Sequence, residues 1–478
     1  MCLHYRLAIR LTVTLEPMMN IKPNSLHHSD VTTLLHPYTD ARLHETQGPM
    51  IIERGKGIHL WDSEGKQYID GLAGLWSVAV GYGEDRLRHA ANAQMEKLAF
   101  YHIFAHKSHE PVIRLSEKLV EMTPANLTRT FFTSSGSEAN DTVIKLVWYM
   151  NNAMGRPKKK KFLSRIKGYH GITIASGSLT GLPINHRDFD LPAIPVHHLT
   201  CPHHYRFGHA GENEAAFCAR LIAEAEEVIL REDPATIAAF IGEPLMGAGG
   251  VMPPPDGYWQ GIEALCRKYD ILLVADEVIS GFGRLGTAFG CEKYGFTPDI
   301  MTLSKQLTSS YMPLAAVLFS EEIYAAVADN THEIGNFGHG YTASGHPVAT
   351  AVALENIAII EERDLIGNAA RLAVPFQSGL RAFGEMRHVG EVRGAGMICG
   401  IELVADKATR RSFDAKSRVG IHAANIAAEE GLITRALGDT LALCPPLIVS
   451  ADEVEQIIVR MGRTLERTHD WIARTHPA

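Results

Sequence analysis

Four short apolar runs dominate what this chain can become: residues 129–133, 236–242, 271–275 and 300–304. Each has strand length, and most are separated by stretches with helical spacing. Val112, Leu115, Leu119 and Met122 recur at that spacing, as do Phe217, Leu221, Ala225 and Val228. Strand alternating with helix predicts an α/β architecture with a mostly parallel sheet. Residues 57–70 predict a β-hairpin, because two apolar runs flank the turn signal Asp62-Ser63-Glu64-Gly65.

What ends each run carries the chemistry. The first gives way to Ser134-Ser135-Gly136-Ser137-Glu138, the second to Glu243-Pro244, the third to Asp276-Glu277, the fourth to Lys305. Ligands of an open parallel sheet bind beyond the carboxyl ends of its strands. The three kinds of group therefore converge on one edge.

Each group has two readings by itself. Ser135, Gly136 and Ser137 open a helix, where unpaired N–H groups attract an anion such as phosphate; alternatively, Ser137 simply caps the helix. Lys305, following a buried strand, is desolvated toward a neutral, nucleophilic amine, or it snorkels at a sheet edge. Asp276 needs a cationic or hydrogen-bonding partner at the end of an apolar strand. A pyridinium nitrogen would serve, and so would a neighbouring turn. Glu243 is read either as a gate or arginine partner, or as a structural carboxylate. Together, anion cup, amine and buried acid match the phosphate, aldehyde and ring nitrogen of pyridoxal phosphate.

The 478 residues include 46 Lys and Arg against 54 acids, a net charge of −8. That balance argues against a nucleic-acid or anionic-membrane partner, and no apolar run is long enough to span a bilayer. The seven cysteines (2, 201, 218, 266, 291, 399 and 444) are odd in number and scattered, which predicts free thiols in a reducing, cytoplasmic compartment. Residues 1–17 read as a targeting segment or as an upstream start, with Met18 or Met19 as the initiator. Arg6 and Arg10 break the apolar stretch and favour the second reading.

Three motifs invite other functions. Residues 281–286 spell GxGxxG, but five residues separate them from the strand end and no helix-forming sequence follows, so a dinucleotide site is not expected. Histidines 197, 198, 203, 204 and 209 cluster with Cys201 without regular ligand spacing, and no metal is expected there or elsewhere. Basic residues 156–161 lack interleaved aromatics and read as a solvated turn.

From about residue 36 to 465 the chain resembles the class III aminotransferases, pyridoxal-phosphate enzymes of fold type I. It is most similar to the omega-transaminase branch, which passes amino groups to pyruvate. The resemblance rests on GLWSVAVGYG (74–83), FFTSSGSEAND (131–141), GYHG (168–171), GEPLMGAGG (242–250), LLVADEVISGFGR (272–284), SKQLTSSYMPLAAV (304–317), HGYTASGHP (339–347) and TRALGDTLALCPPL (434–447), in that order. It implies an arm over 1–35, a large cofactor-binding domain over 85–345, and a smaller α+β domain from 36–84 and 346–478.

The resemblance also implies roles. Lys305 would form the Schiff base with the cofactor, Asp276 would face the ring nitrogen, and Val278 and Tyr169 would sandwich the ring. Ser135, Gly136 and Ser137 would hold the phosphate. Thr342 would complete that site in a neighbouring subunit, which implies a homodimer, with a tetramer as the alternative. Trp76 would line the substrate pocket, and Arg435 would grip a substrate carboxylate and swing aside for an uncharged amine. Gln306 departs from the glycine common at that position beside the lysine. The implied reaction moves an amino group from an amine or omega-amino acid to pyruvate or a similar 2-keto acid, with ping-pong kinetics. An aminomutase or racemase would use the same chemistry, and a non-catalytic binding module is the remoter alternative.

Overall fold

Residues 24–475 of the protein are described by a computed structural model. The expectation for residues 1–17, and the arm as far as residue 23, lie outside the described residues. The described residues form two compact units, one of 24–54 together with 60–67, the other of 55–59 and 68–475.

In the larger unit the expected sheet has seven strands. In chain order they are β1 (Leu127–Thr133), β2 (Lys161–Arg165), β3 (Val196–Leu199), β4 (Ile237–Gly242), β5 (Leu272–Asp276), β6 (Ile300–Leu303) and β7 (Ala315–Ser320). Their order across the sheet is β1-β7-β6-β5-β4-β2-β3. β7 runs antiparallel to both neighbours. The remaining pairings are parallel. Every residue of β4 and β6 is buried, the near-continuous apolar signature of strands covered on both faces.

Amphipathic helices supply the cover. Glu110–Met122 buries Val112, Leu115 and Leu119. Glu214–Arg231 buries Phe217, Leu221, Ala225 and Ile229, with Ile229 rather than Val228 taking the fourth core position. Register then sets the chemistry. Gly242 lies opposite Ala275, and Asp276 opposite Thr302. Glu243, Asp276 and Lys305 thus leave neighbouring strands at one edge.

The C-terminal third builds an antiparallel four-stranded sheet from Val389–Ala395, Ile398–Leu403, Thr440–Leu443 and Arg435–Leu437. Ile69 pairs in parallel with Leu432, tying an N-terminal strand to a C-terminal one. Helix Ala451–Thr475 follows and buries Val454, Ile457, Met461 and Leu465.

In the smaller unit, Ser25 caps helix Leu26–Thr33 and Asp40 caps helix Ala41–Gln47. The expected turn is held by Asp62 Oδ1, which accepts from the Glu64 and Lys66 N–H groups at 3.0 and 2.9 Å.

The tempting motifs resolve structurally. Residues 277–289, which contain the GxGxxG, run as turns, and the helix after them, Gly290–Tyr294, has only five residues. The basic run forms the turn before β2, with Arg156 paired to Asp270 at 2.8 Å and Lys161 to Glu232 at 3.1 Å. Among the described residues no helix is long and apolar enough to cross a membrane.

Candidate functional site

Beyond the ends of β4, β5 and β6 lies a cavity of about 240 Å³. Ser134, Ser135, Gly136, Ser137, Tyr169, Glu243, Asp276, Val278 and Lys305 all line it. The structure therefore brings eight sequence-predicted positions together, Ser135 to Lys305, although they span 171 residues of chain.

Lys305 owes its place to backbone strain. β6 ends at Leu303, Ser304 is extended, and Lys305 turns left-handed at φ 47°. Ser309 and Ser310 are left-handed as well. Such conformations cost energy in residues with a Cβ and persist only where surroundings impose them. Here Asn356, 0% exposed, donates to the carbonyls of Gln306 and Leu307 at 2.8 and 3.1 Å. Ser309 Oγ donates in turn to Asn356 Oδ1 at 2.7 Å. Gln306 does not line the cavity. Its amide donates to the carbonyls of Ile279 and Gly281 at 3.0 and 2.7 Å, pinning the loop after β5.

Asp276 is 4% exposed and accepts at Oδ2 from His170 Nδ1 (2.8 Å) and Asn140 Nδ2 (2.9 Å). A carboxylate only accepts, so the His170 proton resides on Nδ1. At Oδ1, Asp276 accepts the Val278 N–H at 3.2 Å. Burial alone would raise the Asp276 pKa, but His170, Asn140 and the Lys305 charge outweigh it and hold the group below its usual value. Glu243 is raised, chiefly by burial. Its carboxylate accepts the Tyr169 and Gly247 N–H groups at 3.0 and 2.8 Å, so it braces the loop that carries Tyr169. Burial also lowers Lys305 to about 8, against the pull of Asp276 and Glu243. At pH 7 roughly one Lys305 in ten is then a neutral amine, about two orders of magnitude more than for an ordinary lysine.

Helix α1 (Gly136–Ala153) starts two residues earlier than the sequence suggested. Ser135, not Ser137, is its cap: Ser135 is extended and its hydroxyl accepts the Glu138 N–H at 3.2 Å. This leaves Ser137 inside the first turn, where its oxygen accepts from the Ile172 N–H at 3.2 Å. The N–H groups of Gly136 and Ser137 have no intrahelical partner, as in any first turn. A side chain at Gly171 would overlap the hydroxyls of Ser137 and Ser176, so only glycine lets that loop approach α1.

These groups fit a phosphorylated pyridine. Helix N–H groups and hydroxyls suit a dianion. The ionised Asp276 suits a ring N–H, and the lowered Lys305 suits an aldehyde. Asn140 Oδ1 and His170 Nε2, on two cavity-lining residues, are buried without a hydrogen-bond partner among the described residues.

Three predicted residues stand elsewhere. Trp76, 2% exposed and left-handed at φ 64°, belongs to an apolar cluster with Ile279, which does line the cavity. Arg435 is half-buried in strand Arg435–Leu437 and lowers the Lys305 pKa through its charge. Thr342 is exposed and does not line this chain's cavity. The histidines of 197–209 take separate partners: His197 meets Glu232, His198 the Leu179 carbonyl, His203 Glu391, and His204 the Glu212 carbonyl.

The sequence reading missed Asn140, His170 and Asn356. For Asn140 a signal existed: it lies four residues after Gly136, on the same face of the helix.

Residues 41–465 match the family model for class-III aminotransferases. Among curated proteins, the chain is 46% identical over 439 residues to gamma aminobutyrate transaminase 3, chloroplastic, of Solanum lycopersicum, covering 91% of this chain and 84% of that one. It is 48% identical over 441 residues to the probable gamma-aminobutyrate transaminase 3, mitochondrial, of Oryza sativa subsp. japonica, covering 92% and 86%. Among solved structures, the omega transaminase from Pseudomonas jessenii in complex with PMP superposes with a TM-score of 0.93 at 55% identity, covering 94% of this chain and 100% of that one.

In the cofactor-free protein, alkylation of Lys305 followed by peptide mass spectrometry should titrate with a midpoint near pH 8, with reactivity lost below it as the amine protonates. A midpoint close to that of ordinary lysines would mean the amine is not desolvated.

Proposed function

The chain belongs to the class-III aminotransferases, which use pyridoxal phosphate, and from that premise we propose that it moves amino groups from an amine or omega-amino acid to pyruvate in a ping-pong cycle. The observation that carries this reading is the meeting of a lysine at about pKa 8, an ionised buried aspartate and an open helix N-terminus in one cavity.

When bound there, pyridoxal phosphate supplies an aldehyde that captures amines and a ring that withdraws electrons from the captured carbon. Lys305 would hold the aldehyde end through its Nζ. With the cofactor bound, Lys305 Nζ would be the group to take up and return the proton of the substrate carbon, as base and then acid. The Asp276 carboxylate keeps the ring nitrogen protonated, and His170 and Asn140 keep that carboxylate charged. Ser135, Gly136 and Ser137 hold the phosphate, while Val278 and Tyr169 confine the ring.

One pocket must serve both a keto acid and an amine. A fixed cation would be stranded unpaired in the amine complex. Arg435, on a short strand near a chain turn, has the reach to meet a carboxylate bidentately and withdraw. Trp76 belongs to the apolar cluster behind the wall that Ile279 helps to form. Similarity to relatives named for gamma-aminobutyrate supports trying omega-amino acids first as donors, with β-alanine, taurine, diamines and arylalkyl amines after them. Thr342, exposed on its own chain, completes the phosphate site of a partner copy in a homodimer. Free, buried cysteines among the described residues accord with a cytoplasmic location.

A donor panel with pyruvate as acceptor, read as alanine formation, tests the assignment. Turnover with at least one of these donors is expected, together with release of the matching carbonyl product and complete loss in Lys305→Ala. Conversion of the donor without alanine or a free carbonyl product would indicate an aminomutase or racemase instead. Arg435→Ala should slow the pyruvate half-reaction by about 30-fold or more, the loss expected when a charged contact loses one partner. The half-reaction with an uncharged arylalkyl amine should change little. Equal losses in both would remove the switch.

A further inference from the structure

Residues 24–48 bring three ligand-type side chains together at spacings that match no regular motif. Asp30 comes from helix Leu26–Thr33, His44 from helix Ala41–Gln47, and His36 from the connection between them. Asp30 Oδ1 lies 2.9 Å from His36 Nε2 and 2.7 Å from His44 Nε2, and Oδ2 lies 3.0 Å from His36 Nε2. The ring centroids are 4.2 Å apart. All three ligand atoms fall within 4.8 Å of one another, and the residues are half-buried.

We propose that Asp30, His36 and His44 form a binding site for a divalent transition metal of the zinc type, which staples the two helices together. Two ligands bound at 2.0–2.1 Å to a tetrahedral ion stand about 3.3 Å apart. The pairs here stand 2.7–3.0 Å apart, so an opening of about half an ångström admits the ion. Each ring then presents the Nε2 lone pair in its Nδ1–H tautomer. Two imidazoles and one carboxylate favour zinc, cobalt or nickel over magnesium or calcium. A remaining coordination position can face the neighbouring cavity of about 270 Å³, which His36, Thr39, His44 and Glu45 line. Arg42 does not compete for Asp30, because it pairs with Glu45 at 2.8 Å.

Two further observations support a staple. Neither helix buries a single residue, so apolar packing does little to hold them. Short segments without a core commonly rely on a metal or disulfide. The contrast with His203, Glu391 and Glu402 is equally informative. That group also gathers ligand-type atoms, but Arg393 pairs with both carboxylates, at 2.8 and 2.5 Å, and Arg206 with Glu402 at 2.5 Å. Guanidinium groups already supply the positive charge there. The proposal is independent of the catalytic reading.

Calorimetric titration of EDTA-dialysed holoenzyme with zinc chloride tests it. One saturable site per chain is expected. Its affinity should fall about tenfold or more in His36→Ala/His44→Ala. Asp30→Asn should weaken it comparably while keeping a hydrogen-bond acceptor that preserves the local fold, and His27→Ala/His28→Ala should leave it unchanged. Hydrogen exchange should show zinc-dependent protection over 26–47 in the native chain but not in Asp30→Asn. Absence of saturable binding up to roughly 100 μM zinc, or binding that all three variants retain, would overturn the site.

Discussion

The site depends on one buried negative charge. Asp276 ends a strand inside the protein, where an isolated carboxylate would take up a proton. Two hydrogen-bond donors, His170 and Asn140, prevent this, and they come from different parts of the chain. Asn140 also donates to the His170 carbonyl at 2.7 Å, so one amide positions both the acid and its partner. The charge held in this way attracts the Lys305 ammonium, yet burial wins at the lysine and leaves it near pKa 8. The acid thus keeps the charge it would carry in water, which burial alone would remove, while the amine beside it loses part of its own.

The scaffold exists to hold these two groups in register. Parallel pairing of β4, β5 and β6 sends their ends to one edge, and buried apolar strands leave little freedom to slip. Strain then supplies direction. The left-handed turn at Lys305 is kept by Asn356 and by the Gln306 side chain, neither of which faces the cavity.

Much of this was legible in the sequence because strand periodicity is local. The four apolar runs became strands, and the residues after them became the site. The hairpin turn and the helices over 110–122 and 214–231 followed from patterns a few residues long. What stayed illegible was non-local or depended on a boundary. Whether Ser135 or Ser137 caps α1 turns on two residues of helix start. His170 stood in a motif associated with Tyr169, and nothing local marks its contact with Asp276, 106 residues away. Gln306 is next to Lys305 in sequence yet does not line the cavity, because successive residues in a tight turn point to different sides. The Asp30, His36 and His44 group lacks regular spacing because a loop between two helices, not one helix face, gathers it.

The account stands on Lys305 as the residue that holds the cofactor. Borohydride reduction of the cofactor-loaded protein, followed by proteolysis and tandem mass spectrometry, measures this directly. The account predicts a phosphopyridoxyl group on the peptide carrying Lys305, on that side chain alone. A label on another lysine, or a reduced protein that releases its cofactor on denaturation, would contradict it.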